Sequence, residues 1–491
     1  MYRLTLGSLE EHGANPALIS QTGTLPYTDL AARAGVVTRT LRRFGVLPGS
    51  AVALLSAGRS LDEPVGLAGL LGNGNIVVPL DASAPAARLA DIARSRGCKA
   101  LVHDEAAAAL AAQIESAMDE GALAIRLTLD EQGTLSTPAA PSSPSREITL
   151  RDLSTACILH TSGSTGTPKP VPITWKGLDA FTELLVNEIS LTSADRILRV
   201  AELVFDLAWF DHIAAFRTGA SLLCMSRKEL ASGRALKDAI VRLQPTVIYG
   251  VPSLFMKLTA AMSPGETLPA SLRVVMFAGE VFPPKELKSF AERAPGAALY
   301  NLYGPTETNV CMYHRVDRAQ LDGVSETPIG KPCPYATCWL SADDGSILEG
   351  PGTGELYVSG PTTLGGGPYP TRDRVERSED GLYRFRGRID RMVKIRGYRV
   401  EPGEVEAALS LHPGVEQAAV LSVEDPRLGK VLHAHVATKK GAAEAATERG
   451  LRVFLSERLP PYMVPEKVML LDELPRTTTG KIDYQALAAK R

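Results

Sequence analysis

The stretch HTSGSTGTPKP, His160–Pro170, sets Thr161, Ser162, Ser164 and Thr165 beside Gly163 and Gly166, and then adds Lys169. Main-chain N–H groups in a glycine-rich turn, joined by hydroxyls, form a concave set of donors suited to phosphate oxygens. A P-loop would place Lys directly after Gly and before Ser or Thr. Here Pro168 precedes Lys169 and Pro170 follows it, so this loop is of another kind. Two readings stand on these residues alone: a phosphate cradle, or a polar turn with no ligand. The preceding TACILH reads as a buried strand, and ligands gather at the carboxyl ends of parallel strands, which favours the cradle.

The elements that must position such a loop are legible as short apolar runs. SAVALLS, NIVVPL, KALVH, TACILHTS, TVIYGVP and RVVMFAGE are each bounded by turn residues, as strands buried on both faces are. Ala/Leu-rich helical stretches lie between them, the alternation of an α/β fold with parallel sheets. GELYVSG and GLYRFRG read as antiparallel material, a β-rich subdomain. A compact α+β pattern begins near RMVKIRGYRVEPGEVEAAL. We therefore expect a large N-terminal domain over 1–390 and a small C-terminal domain over 391–491, divided at GRID. TPAAPSSPSRE, 137–147, reads as an exposed connection.

With 491 residues the chain is too long for one ordinary core. Hydrophobic content of 45% with 22% charge describes a soluble globular chain, and a net charge of −2 gives no reason to expect nucleic acid as a partner. Six cysteines form no CxxC pair and no zinc spacing, which suits reduced thiols in a cytoplasmic protein. The N-terminus lacks the pattern of a signal peptide. PVGLAGLLGNGNIVVPL, the most apolar stretch, is too short and interrupted to span a membrane.

Further motifs follow the loop: NLYGPTET at 301–308, GELYVSG at 354–360, YPTRDRV at 369–375, GRIDRMVKIRGYRVEPGEVE at 387–406 and LPRTTTGKIDYQAL at 474–487. PLD at 79–81 and PIGKP at 328–332 belong to the same set. In type and order they resemble the adenylate-forming superfamily of acyl-CoA ligases, luciferases and peptide-synthetase adenylation domains. The resemblance covers nearly the whole chain. It implies that ATP and a carboxylate give an acyl-AMP with release of pyrophosphate, and that the acyl group then passes to a thiol.

By the same resemblance, Thr161, Ser162, Ser164 and Thr165 hold the β- and γ-phosphates, Gly163 and Gly166 admit the backbone, and Lys169 adds charge. Tyr303 stacks near adenine, Gly279 and Glu280 line the adenine side, and Thr306 meets the α-phosphate. Glu307 holds Mg²⁺. Asp373 accepts the ribose hydroxyls, with Arg388 beside it. Lys481 is the catalytic lysine, Asp390 the hinge of a mobile C-terminal domain, and Gly397 marks the loop that serves thiol transfer. The ribose motif of the family is Y-x-T-G-D; here Arg372 stands in place of the glycine.

VFDLAWFDHIAAF, Val204–Phe216, carries the substrate clue. Asp206, after Phe205, stands where adenylation domains place the carboxylate that meets an α-ammonium, and a buried ammonium needs such a partner. The rest of the pocket by family position is Leu207, Phe210, Gly250, Met276, Ala278, Leu302, Val310 and Cys311. This set resembles stand-alone proline-activating ligases that load carrier proteins, except at Gly250, which would deepen the pocket. The order of expectation is proline, then another small aliphatic amino acid. No G-G-x-S element with a phosphopantetheine-accepting serine is found, so the acceptor is expected to be a separate carrier protein. The alternative is an acyl- or aryl-CoA ligase of the same superfamily. His160, His212 and the cysteines other than Cys311 are read as structural.

Overall fold

The computed structural model describes residues 4–59, 61–119, 121–123, 125–129, 135–136, 153–163, 168–321, 326–425, 429–439, 446–477 and 482–489. TPAAPSSPSRE, 137–147, lies outside the described residues. The chain divides into two compact units. The first comprises Met1–Asp81, Ala93–Leu159 and Val171–Ile389; the second comprises Ala82–Ile92, His160–Pro170 and Asp390–Arg491.

All six apolar runs are strands. Ala51–Leu55, Ile76–Leu80, Ala100–Asp104 and Thr155–Thr161 belong to a seven-stranded sheet. Val247–Gly250 and Val274–Ala278 lie in a nine-stranded sheet, where they pair in parallel with each other and with Arg196–Arg199 and Ala298–Tyr303. The strands Val247–Gly250 and Val274–Ala278 are buried on both faces, so they carry no polar side. Val247, Tyr249, Met276 and Ala278 enter one apolar cluster, while Ile248, Val275 and Phe277 enter another. That is the period-2 geometry of a strand acting on a wholly apolar sequence.

The helix Asp206–Thr218 belongs to the first cluster. Every residue from Leu207 to Phe216 is buried, Asp211 and His212 included, which makes this a central helix. It ends at Gly219, whose φ of 76° is the left-handed turn that closes a helix. GELYVSG and GLYRFRG form part of a four-stranded antiparallel sheet, Thr337–Ser341, Gly352–Ser359, Tyr369–Arg377 and Tyr383–Arg388. The second unit carries the hairpin Val393–Ile395 and Tyr398–Val400 and a three-stranded sheet, Val415–Asp425, Gly429–Thr438 and Lys467–Leu471. The α/β class with a smaller α+β unit is thus as expected. No helix among the described residues is long and apolar enough to cross a membrane.

Asp195 fixes the start of the strand Arg196–Arg199. It accepts from Arg273 Nε at 2.8 Å and Nη2 at 2.7 Å, and from Thr246 Oγ1 at 2.7 Å. Burial opposes its ionisation, but the hydrogen bonds from Arg273, Thr246 and Thr192 outweigh it and hold the carboxyl below its ordinary 3.8. A depressed folded value gives stability that is present above the unfolded value and lost as pH falls through the folded one. Asp195→Asn is therefore expected to flatten the acid limb of thermal stability below about pH 4. Thermal midpoints measured from about pH 6 to about pH 2.5 check this, and parallel curves for variant and parent would refute it.

Candidate functional site

Asp206 is the first residue of its helix, with Phe205 as the preceding cap residue. A carboxylate at a helix N-terminus sits in a favourable field, and its Oδ1 accepts the Leu207 N–H at 2.9 Å. Phe205 is held by its N–H to Glu202 O at 2.9 Å. Cys157 and Tyr249 both feel the Asp206 charge. Burial, and then the Asp206 charge, push the Cys157 thiol and the Tyr249 phenol well up. Leu207, Phe210, Met276, Ala278, Leu302 and Val310 share one apolar cluster with Tyr249, and the Phe210 and Tyr249 rings meet edge-on at 6.1 Å.

Two expected pocket residues do not join them. A Cβ on Gly250 would meet Leu254 at 3.0 Å, Val200 at 3.2 Å and Phe255 at 3.4 Å, on the opposite face of the strand. Gly250 therefore does not deepen the space beside Asp206; the residue that faces it is Tyr249, one position earlier. Cys311 packs with Met312, Leu340, Leu356 and Val358, in the cluster of the four-stranded sheet. Its N–H donates to Tyr303 O at 2.8 Å, and burial and then Cys338 push its thiol well up.

The ribose motif forms a tight group. Tyr303 Oη donates to Asp373 Oδ2 at 2.5 Å, and Arg388 pairs with the other oxygen, Oδ1. Asp373 and Arg388 are register partners on adjacent strands. Burial, and then Asp373, push the Tyr303 phenol well up, so it stays a donor. A carboxylate has about four lone-pair sites, so Asp373 can accept from several donors at once. Arg372 has a φ of 61°, and its N–H donates to Glu355 Oε1 at 3.1 Å. The left-handed region costs a side-chain-bearing residue about 1–2 kcal/mol, offset in part by about 0.5–1 kcal/mol of glycine entropy. Arg372→Gly is accordingly expected to raise the thermal midpoint slightly. A lower midpoint would mean that the Arg372–Glu355 pairing, 3.9 Å between charged atoms, outweighs the strain.

Thr306 and Glu307 sit in a turn that only glycine can open. A Cβ on Gly304 would lie 1.6 Å from Asn309 O. Asn309 takes a φ of 50°, and its Oδ1 accepts the Val310 N–H at 2.6 Å, closing the turn. The spacing of the motif did not single out Asn309. Glu307 is buried, and its carbonyl accepts from Leu364 N at 2.7 Å. Among the described residues no three His, Cys, Asp or Glu side chains gather into a metal cage. One buried carboxylate supplemented by phosphate oxygens is how Mg²⁺ is commonly held, so Glu307 fits that ion. Gly279, with a φ of 91°, ends the strand Val274–Ala278, and Glu280 Oε2 accepts the Ser253 N–H at 3.0 Å.

The remaining candidates belong to the second unit. Thr161 and Ser162 are buried; Ser162 Oγ donates to Arg399 O at 2.9 Å, and the Gly163 N–H donates to Glu404 Oε2 at 3.1 Å. Glu404 also pairs with Arg88 at 2.6 Å. Lys169 opens the strand Lys169–Thr174 and is exposed. Ser164, Thr165, Gly166 and Lys481 lie outside the described residues. The base of the Lys481 segment is described: Arg476 bridges to Ile482, and Asp483 N donates to Pro475 O at 2.8 Å. Asp390 Oδ1 accepts from Met392 N at 3.3 Å. Arg396 and Gly397, with φ of 52° and 85°, form the two-residue turn of a hairpin of the kind that needs positive φ at both positions.

Residues 7–366 match the AMP-binding enzyme family and residues 404–481 match the AMP-binding enzyme C-terminal domain, so the chain belongs to the AMP-binding enzymes. Within it, the chain is 36% identical to an L-proline–(L-prolyl-carrier protein) ligase of Streptomyces coelicolor, over 99% of this chain and 95% of that one. It is 34% identical to a ligase of the same description from Pseudomonas fluorescens, over 99% and 98%. In fold it is similar to the amide bond synthetase McbA from Marinactinospora thermotolerans, with a TM-score of 0.86, 22% identity and 99% of each chain covered.

Proposed function

We propose that this protein activates an amino acid with ATP and loads it on the phosphopantetheine thiol of a separate carrier protein. L-proline is the first candidate, and another small aliphatic amino acid the second. The observation that carries the reading is Asp206, a carboxylate at the head of a buried helix whose next residue, Leu207, shares an apolar cluster with Tyr249. An ammonium group would find its counter-charge there and an aliphatic side chain its apolar wall. The two carrier-protein ligases that match over nearly their whole length support the same substrate class.

In the first step a carboxylate oxygen of the amino acid attacks the α-phosphorus of ATP. The bond to the bridging oxygen breaks, and pyrophosphate leaves with its electron pair. Asp206 holds the ammonium, and Tyr249, in place of Gly250, walls the pocket with Leu207, Phe210, Met276, Ala278, Leu302 and Val310. Asp373, oriented by Tyr303 and Arg388, accepts the ribose hydroxyls, and Thr306 donates to the α-phosphate. Loop 161–166 and Lys169 hold the β- and γ-phosphates. Lys481 reaches the carboxylate and phosphoryl oxygens, where charge builds. Glu307 would hold Mg²⁺, which would supply charge neutralisation on the triphosphate. In the second step the thiol sulfur attacks the acyl carbonyl, its proton is lost, and AMP leaves. The division at 390 makes 1–390 the adenylation domain and 391–491 the domain that carries Lys481, with Asp390 as hinge and the Gly397 loop serving the thiol. The reaction takes place in the cytoplasm, which suits six thiols with no disulfide among them.

Amino-acid-dependent ATP–pyrophosphate exchange across proline, alanine, aryl acids and fatty acids tests the reading. Exchange with proline or a small aliphatic amino acid is the expected result. Exchange with an aryl or fatty acid alone, followed by turnover with CoA, would replace it with the CoA-ligase alternative.

A further inference from the structure

Arg59, Glu63 and Arg199 take no part in the chemistry above, yet all three are buried, with exposures of 3%, 7% and 0%. Arg199 Nη1 pairs with Glu63 Oε1 at 2.6 Å. The two arginines also hold each other's main chain. Arg199 Nη2 donates to Arg59 O at 2.9 Å, and Arg59 Nη2 donates to Arg199 O at 3.0 Å and Ala201 O at 3.2 Å. Arg59 further approaches Glu202 at 3.8 Å and Met225 O at 3.4 Å.

Two buried guanidinium groups side by side are expensive. Burial and then Arg199 push Arg59 down to about 10. Arg59 also adopts a left-handed φ of 53°. A cluster bearing such costs is explained by what it holds. Arg59 follows the strand Ala51–Leu55 of the seven-stranded sheet, whereas Arg199 ends a strand of the nine-stranded one and Met225 follows another, Ser221–Cys224. The clasp joins the carboxyl ends of the two sheets. Its grip on the carbonyls of Arg199 and Ala201 falls where the chain leaves the sheet for Phe205 and Asp206. Downstream the path is held again, by Phe205 N to Glu202 O at 2.9 Å and Trp209 Nε1 to Leu203 O at 2.9 Å.

We propose that the Arg59–Glu63–Arg199 clasp is a positioning device for the amino-acid site: it fixes the course of residues 200–205 and so the place of the Asp206 carboxylate. The proposal rests on the reading of Asp206 as the ammonium partner. None of the three residues touches substrate in this scheme; they act through Asp206.

The test uses the full-length protein with Arg59→Lys and Glu202→Gln. Lysine keeps the charge but not the planar fork that spans two carbonyls, and Glu202 is partly exposed, so its variant spares the core. For both, pyrophosphate exchange is measured against amino acid and against ATP, with thermal midpoints alongside. The expected result for Arg59→Lys is a KM for the amino acid raised about tenfold, the scale of one lost charge-assisted hydrogen bond. The KM for ATP should stay within about twofold, and the preference for the amino acid over the same acid lacking its amine should fall in parallel. Glu202→Gln should show the same split to a smaller degree. A lowered thermal midpoint with an unchanged amino-acid KM in both variants would make the clasp merely structural and overturn the proposal. Absence of amino-acid-dependent exchange in the parent protein would instead overturn the activation reading on which it rests.

Discussion

Lys481→Ala is expected to cut amino-acid-dependent ATP–pyrophosphate exchange by about 10²–10³-fold, the loss typical of one donor aimed at transition-state charge. The attacking carboxylate and the triphosphate are both anionic, and negative charge grows on the phosphoryl oxygens as pyrophosphate departs. A cation that reaches those oxygens acts most strongly at that moment, so kcat should fall far more than the affinity for either substrate. Transfer of the aminoacyl group from chemically prepared aminoacyl-AMP to a carrier should change little, because the lysine serves the first step. A variant within twofold of the parent in exchange would remove Lys481 from the chemistry.

The second large effect is expected at Asp206. Taking away one partner of a buried charge pair costs about 3–5 kcal/mol, and Asp206→Ala should therefore lower kcat/KM for the amino acid by about 10²–10³-fold or more. The informative comparison is with the carboxylic acid that lacks the amine. It has no ammonium to leave stranded, so its activation should be far less affected, and the preference between the two acids should shrink. Equal losses for both acids would mean that the substitution disturbs the helix Asp206–Thr218 and not recognition of the amine.

The strands were legible because burial on both faces leaves short runs of Val, Ile, Leu and Ala between turn residues. The same property hid which way each side chain points. TVIYGVP has no polar–apolar alternation, so its facing cannot be read from it, and a one-residue slip exchanges the two faces of a strand. That is why Gly250 was expected where Tyr249 lies. Cys311 misled for a related reason: it directly follows Val310, yet the chain passes there from one apolar cluster to another. The Tyr303, Asp373 and Arg388 group was marked by its motifs because each residue sits in a recognisable local pattern. The Arg59, Glu63 and Arg199 clasp was not, since its members are 136 and 140 positions apart and arginine and glutamate in sequence usually signal a solvated surface.

The second unit is assembled from three separated stretches, and this has a consequence for how the protein is made. Glu404 receives Arg88 from 316 positions earlier and the Gly163 N–H from 241 positions earlier. At a synthesis rate of about 5–20 residues per second, Arg88 waits roughly 15–60 s on the ribosome for its carboxylate. The early stretches Ala82–Ile92 and His160–Pro170 are thus born long before the chain that completes them. Final consolidation of the second unit is therefore a late, long-range event of the kind that slows folding. A nascent chain stalled before residue 404 would hold these segments without their partner, a natural point for a chaperone to engage.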